Sequence, residues 1–186
     1  MKRFFDFSIS FLLIIVLTVP LIFLSILISF TSKGHFLYWS KRVGKNNKIF
    51  MMPKFRTMTL EAPDLATHLL ENPSSYYTPM GKFLRKYSID ELPQLYSILL
   101  GQMSLVGPRP ALHNQTDLIS LRSEIGIDTL LPGITGLAQV SGRDEISIRS
   151  KVEIDKNYLE KKSFLFDLYI IWLTIKKVLI SSDISH

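Results

Sequence analysis

Apolar residues fill the start of the chain and then break into shorter, patterned runs. After Met1-Lys2-Arg3, no charged residue occurs from Phe7 to Phe30, and Asp6 sits just outside that run. As a straight helix these 24 residues would be roughly 36 Å long, enough to cross about 30 Å of hydrocarbon. The run is too long for a cleaved signal peptide, and no small-x-small site closes it. Pro20 lies in its middle and removes a backbone donor, so a kink is expected there, with Thr18 or Ser25 taking up freed backbone groups. Thr31 to Gly34 is a break. Phe36 to Met58 then reads as short strands, with Arg42 to Lys48 as a hairpin turn. In an extended Ile49–Met58, Lys54 and Arg56 project from one face while Phe55 packs on the other. A short helix over Asp64–Glu71 and a polar loop over Asn72–Pro79 follow. Helical periodicity resumes over Gly81–Tyr87, with Phe83 and Leu84 buried and Lys82, Arg85 and Lys86 exposed.

The central stretch Arg85-Lys86-Tyr87-Ser88-Ile89-Asp90-Glu91-Leu92-Pro93-Gln94-Leu95 sets two adjacent carboxylates after two cations and before an apolar run. Ser88-x-x-Glu91 matches a capping box, and Asp and Glu suit the first turn of any helix. Pro93 complicates that reading. With Ser88 as N-cap it would be the fifth helical residue and forfeit a bond; with Asp90 as N-cap it is the third, where no N–H is needed. Either way Asp90 lies near a helix N-terminus, and the helix runs through Leu95, Ile98 and Leu99 to a stop at Gly101. Two prolines then frame Arg109 in Gly107-Pro108-Arg109-Pro110, and Gly107 lets another group come close. Leu131 to Arg143 carries three glycines without a Walker lysine or dinucleotide-binding spacing. The last apolar run, Phe164–Lys177, is too short and too charged to span, and its Tyr, Trp and Lys suit either a headgroup layer or a core helix.

Charge changes this picture. The chain has 186 residues, a formal net charge of +6 and no cysteine. Disulfides, thiolate catalysis and Cys-ligated zinc are excluded. A mean hydropathy of +0.21 with a pI near 9.5 points to a membrane surface rather than nucleic acid. Lys2 and Arg3 flank the apolar run on one side, and Lys33, Lys41, Arg42, Lys45 and Lys48 on the other. The positive-inside rule draws both flanks to the cytoplasm, which a kinked, re-entrant helix satisfies; an ordinary bitopic anchor is the alternative. Carboxylates beside cations suit a site handling a metal ion and phosphate together. Lys54 and Arg56 on one strand face can grip a diphosphate, and a rigidly framed Arg109 suits oxyanion recognition. His68 and His113 have no partner at metal-ligand spacing.

KFRTM (54–58), SIDELPQL (88–95), MSLVGPRPAL (103–112) and PGITGLAQVSGR (132–143) occur in this order and spacing. With them the chain closely resembles the bacterial sugar transferase family, small membrane-embedded phosphoglycosyl transferases, from the apolar segment to about Lys177. It looks like the minimal form, without the additional membrane helices of larger members. Leu137 departs from the pattern, which commonly has Trp there. The resemblance implies transfer of a sugar 1-phosphate from a UDP-sugar to undecaprenyl phosphate, releasing UMP and starting glycan assembly. It implies Asp90 as nucleophile, giving a phosphosugar-aspartate intermediate, and Glu91 as its partner toward Mg²⁺ or the lipid phosphate, with Asp90 as metal ligand. Lys54, Arg56, Arg85, Arg109 and Arg143 are then candidates for phosphate contacts, and Gly136 and Gln139 for the uridine or sugar side. Asp155, Tyr158 and Asp167 fall at polar positions of the family and read as structural.

The fold expected on this basis is α+β and mostly helical. Residues 1–32 form a re-entrant membrane helix kinked at Pro20. Residues 33–186 form a small cytoplasmic catalytic domain with short strands and interfacial amphipathic helices, on the bacterial inner membrane. The sugar is expected to be an N-acetylated hexose, no nucleic acid is a partner, and self-association stays open. Two alternatives remain: a membrane-bound Mg-dependent phosphatase using the same Asp-Glu pair, and a non-catalytic membrane scaffold in which both residues only cap a helix.

Overall fold

The computed structural model describes residues 1–63, 65, 70–142 and 147–180. It is mostly helical with a few short strands. The helix expected over Asp64–Glu71 and His68 fall largely outside the described residues.

The apolar run forms one helix, α1 (Lys2–Thr31), with Pro20 inside it. It is long and apolar enough to cross a membrane by length and composition. Pro20 removes the donor that would reach the Val16 carbonyl. Neither expected hydroxyl takes up that carbonyl: Thr18 donates to the Ile14 carbonyl and Ser25 to the Leu21 carbonyl, each at 2.7 Å. Each hydroxyl reaches the carbonyl one turn before its own residue, and for these two positions that is not Val16.

One stripe of α1 faces the rest of the chain along its whole length. Asp6, Ser10 and Ile28 are buried, and Ile14, Leu17, Leu21 and Leu24 pack partly buried between them. The steps of four and three residues are those of a helix seam. The opposite face leaves Phe4, Phe7, Phe11, Val19, Phe23 and Phe30 exposed.

After the break, β1 (Leu37–Val43) and β2 (Ile49–Phe55) form an antiparallel hairpin, in register from Leu37↔Phe55 to Val43↔Ile49. Asn46 and Asn47 turn it with φ of 54° and 57°, a region Asn tolerates better than most residues. One face of β2 sends Phe50 and Met52 into a core with Leu95, Ile98 and Met103 that α1 covers with Ile14 and Leu17. Each such fully buried side chain contributes about 1.5–3 kcal/mol. Phe55, on the opposite face, packs with Leu84 and Ile28.

Helix α2 (Gly81–Lys86) buries Leu84 as expected, but Phe83 is exposed. Six residues give one buried stripe. Leu84 occupies it, so Phe83, one position round, lies on the outer face against Tyr87, the two rings tilted by 57° with centroids 5.1 Å apart. A 3-10 helix over Ile89–Gln94 leads directly into α3 (Leu95–Leu99), and Gly101 ends the run with φ 79°. Beyond it, β3 (Ser104–Val106) pairs in parallel with β4 (Gly133–Thr135). The glycine-rich stretch from Leu131 is therefore a strand followed by helix α5 (Leu137–Ser141). Helices α4 (Thr116–Glu124), α6 (Ile148–Lys161) and α7 (Phe164–Ile180) complete the fold. In α7, Ile170 is buried while Leu165, Tyr169, Trp172 and Ile175 are exposed.

Candidate active site

The capping box does not form. Ser88 adopts φ 55°, ψ 23° and its side chain makes no capping hydrogen bond. The sharp left-handed turn leads into a 3-10 helix instead of an α-helix, and a 3-10 helix accommodates Pro93. Its winding separates successive side chains by roughly 120°, so Asp90 and Glu91 leave in different directions.

Asp90 lines a cavity of about 300 Å³ together with Arg42, Lys54, Arg56 and Arg85. It is the one carboxylate among the described lining residues. Met58, Leu60, Ala62, Pro63 and Leu65 add apolar surface to the lining. Asp90 is buried, and among the described residues no side chain or amide hydrogen-bonds its carboxylate. Burial first, then the neighbouring Glu91, raise its carboxyl to about 6, against the pull of Lys54, Arg85 and Arg109. Lys54 is pushed the other way: burial lowers it to about 8, opposed by Glu91. Glu91 turns to the cations, accepting from Arg109 Nη2 at 2.8 Å and lying 3.8 Å from Lys54 Nζ.

The hairpin supplies the cations. Strand partners point to the same face, and the register sets Tyr38 opposite Lys54. That face carries the cavity residues Tyr38, Ser40, Arg42 and Lys54. Arg56 leaves the strand end and is fixed by Nε donating to the His35 carbonyl at 2.7 Å. Arg85 lies over the Tyr77 ring at 5.5 Å. Arg109 is presented by close backbone packing between two loops. A Cβ on Gly107 would come within 2.3 Å of the Leu131 carbonyl, and one on Gly136 within 2.0 Å of the Gly107 carbonyl.

The structure thus brings Asp90, Glu91, Lys54, Arg56, Arg85 and Arg109 together. Gly136 packs against Gly107, and Gln139 sits beside it, donating Nε2 to the Ile134 carbonyl at 3.2 Å; neither lines the cavity. Gln139 Oε1 is buried there without a hydrogen-bond partner among the described residues. Arg143 lies outside the described residues. The sequence reading missed Arg42 as a cavity residue, although the alternation Tyr38, Ser40, Arg42 marks one strand face. It also missed Arg122, which donates Nε and Nη2 to Asp155 Oδ2 at 3.0 and 2.6 Å and Nη1 to the Arg109 carbonyl at 2.8 Å. No local pattern links Arg122 to Arg109.

No group of three or more His, Cys, Asp or Glu side chains converges among the described residues. The donor set fits Mg²⁺ in its usual open mode, held by one or two carboxylates with substrate phosphates and water completing the shell. A cage for a tightly held metal is not what these residues offer.

The sequence profile of the bacterial sugar transferases matches residues 1–181. The chain belongs to the bacterial sugar transferase family. It is 39% identical over 186 residues to the uncharacterized sugar transferase EpsL of Bacillus subtilis, covering 100% of this chain and 91% of that protein. It is 37% identical to the exopolysaccharide production protein ExoY of Sinorhizobium fredii, covering 97% and 86% of the two chains. It is also 37% identical to the UDP-glucose:undecaprenyl-phosphate glucose-1-phosphate transferase of Klebsiella pneumoniae, over 98% of this chain but 41% of that longer protein. The family match and the exposed apolar helix α1, long and apolar enough to cross a membrane, together point to membrane association.

Proposed function

We propose that this chain transfers a sugar 1-phosphate from a UDP-sugar to undecaprenyl phosphate through a covalent intermediate on Asp90. The observation that carries this reading is Asp90 itself: buried, without a hydrogen-bond partner among the described residues, and facing a cavity lined by four cations. A carboxylate in that position is a nucleophile held ready rather than a cap.

One Asp90 oxygen attacks the sugar-bearing phosphorus, the bond from that phosphorus to the bridging oxygen breaks, and UMP leaves with the bridging oxygen. An oxygen of the lipid phosphate then attacks the same phosphorus and displaces Asp90, giving the polyprenyl diphosphate sugar. Lys54, Arg56, Arg85 and Arg42 neutralise the diphosphate as the carboxylate approaches it. Arg109, held by Glu91, is positioned for the departing or incoming phosphate. Asp90, with Glu91 beside it, would hold Mg²⁺, which when bound supplies further charge neutralisation at the phosphate oxygens. The family names and the cavity's charge support this reading, as does a membrane helix that is packed against the domain from Asp6 to Ile28.

That packing also supports a re-entrant α1 with both flanks on the cytoplasmic face, bending at Pro20 as it enters the bilayer. A helix fastened to one domain near both ends has no free end to send across. In this cysteine-free chain, a cysteine set just ahead of Lys2 and a Lys33→Cys substitution should label from the same side; opposite-side labelling would replace the re-entrant topology with a spanning one.

The reaction is tested with Asp90→Asn in membranes. UMP release and lipid-linked sugar formation should both fall by about a thousand-fold or more, with the protein still folded. Retained transfer would return Asp90 to a structural role, and phosphate release without lipid-linked sugar would favour the phosphatase. The sugar is proposed to be an N-acetylated hexose, and a panel of UDP-sugars assayed for UMP release decides it.

A further inference from the structure

The first residues of α1 grip two of the segments that carry the site's charged groups. Arg3 donates Nη1 to the Ile98 carbonyl and Nη2 to the Leu99 carbonyl, the latter at 2.9 Å. These carbonyls close α3, where a cation also meets the negative end of the helix. Helix α3 continues without a break from the 3-10 helix bearing Asp90 and Glu91. Gly101 leaves the space for this contact, since a Cβ there would come within 3.2 Å of Arg3 Nη2.

The second segment is β3, which runs into Gly107-Pro108-Arg109. Asp6 Oδ2 accepts from the Ser104 hydroxyl at 2.7 Å, and its Oδ1 from the Leu105 amide at 3.4 Å. Lys2 Nζ donates to the Val106 carbonyl at 3.1 Å and to Asp167 Oδ2 at 2.5 Å. The Tyr158 hydroxyl donates to Asp167 Oδ1 at 2.7 Å, closing the cluster. Asp6 and Asp167 are both buried. A buried carboxylate at the edge of an apolar run is costly unless it is paired and hydrogen-bonded, and here the pairing goes to the strand that delivers Arg109.

We infer that Lys2, Arg3 and Asp6 are positioning residues, which set the separation of the Asp90 helix and the Arg109 strand when α1 is seated. The flanking cations then act on internal carbonyls and a carboxylate more than as topology signals. This rests on the transfer reading above. Phosphoryl transfer depends on reacting groups held to a fraction of an ångström, so loosening this clamp lowers turnover rather than substrate binding.

The test uses the full chain in lipid nanodiscs. Arg3→Gln carries two lysines added ahead of Met1, which more than make good the flanking charge it loses, and the near-isosteric Asp6→Asn, which removes no cation, is made without them. Each variant should lose ten-fold or more in kcat for UMP release, with KM for the UDP-sugar unchanged. Arg3→Lys should recover part of that loss. Cysteine labelling of the two α1 flanks should match the parent, and amide exchange should rise over 95–106. Wild-type kcat in both variants, or full rescue of Arg3→Gln by the added lysines, would overturn the inference. So would unchanged exchange over 95–106, a readout that needs no activity. If the parent itself releases no UMP, the transfer reading fails and the exchange result alone decides the clamp.

Discussion

Asp90 and Asp155 are both buried aspartates, and burial raises the carboxyl of each. Their surroundings separate them. Asp155 takes two guanidinium hydrogen bonds from Arg122 on a single oxygen, so its charge is met where it sits. Asp90 has cations around its cavity but no hydrogen bond among the described residues. The first arrangement makes a joint; the second leaves a charge available to something that enters. The two sites are also connected, because Arg122 spends its remaining Nη1 on the Arg109 carbonyl, and Arg109 holds Glu91.

The same substitution should therefore act oppositely at the two positions. Asp155→Asn strands the Arg122 guanidinium in a buried setting and is expected to cost about 3–5 kcal/mol. Asp90→Asn removes a group whose folded carboxyl sits near 6 against an ordinary 3.8. Such a group favours the fold while protonated. Its contribution is present in full below about pH 4 and is lost as pH rises through 6. At pH 7.5 ionised Asp90 costs the empty protein about 3 kcal/mol, so Asp90→Asn should raise the melting temperature there and leave it unchanged at pH 4. Thermal melts of both variants at the two pH values check this, and a loss of stability in Asp90→Asn at pH 7.5 would erase the distinction.

The features legible in the sequence were those with a local cause. Asn46-Asn47 marks a turn by its own backbone preference, Gly101 marks a helix end, and adjacent Asp90-Glu91 stands out against an apolar run. The α1 stripe was hidden because most residues of that helix are apolar on every face, so periodicity has little contrast to work with; within the stripe only Asp6 and Ser10 are polar. Phe83 went wrong since a six-residue helix offers one stripe, and Leu84 took it. The β3–β4 pairing joins strands of three residues across a long connection, too short for alternation to register. Arg122–Asp155 is a contact between distant segments with no spacing rule behind it. Ser88-x-x-Glu91 matched a cap because the motif is silent on backbone handedness, and a left-handed Ser88 cannot present its hydroxyl as that cap requires.

Glu91 sharpens the comparison from inside the site. Its side chain is paired with Arg109 and Lys54, as Asp155 is with Arg122, yet it also raises the Asp90 carboxyl. Glu91→Gln keeps an acceptor for Arg109 and removes the charge. Turnover should fall by about ten- to a hundred-fold, well short of the Asp90 loss. The acid limb of the pH–rate profile should shift downward, because Asp90 then ionises without a like charge beside it. An acid limb that stays in place would separate the two carboxylates electrostatically.

The smallest effect is expected in the pH profile of the parent protein. The nucleophile must be ionised, so kcat/KM should rise through about pH 6, where Asp90 titrates. A phosphate-facing Lys54 must be protonated, so kcat/KM should fall above about pH 8. The sign for Lys54 follows from its cause: burial disfavours the charged ammonium, bringing its loss of charge down from 10.5 toward neutrality. Lys54→Arg tests that limb directly, since a guanidinium stays charged across the range. The variant should keep the acid limb, lose the alkaline one, and reach a lower plateau, because the longer planar head cannot occupy the ammonium's position beside Glu91. An alkaline limb that survives Lys54→Arg would assign that titration to another group and leave Asp90 as the single member of the site whose buried charge shapes the reaction's pH dependence.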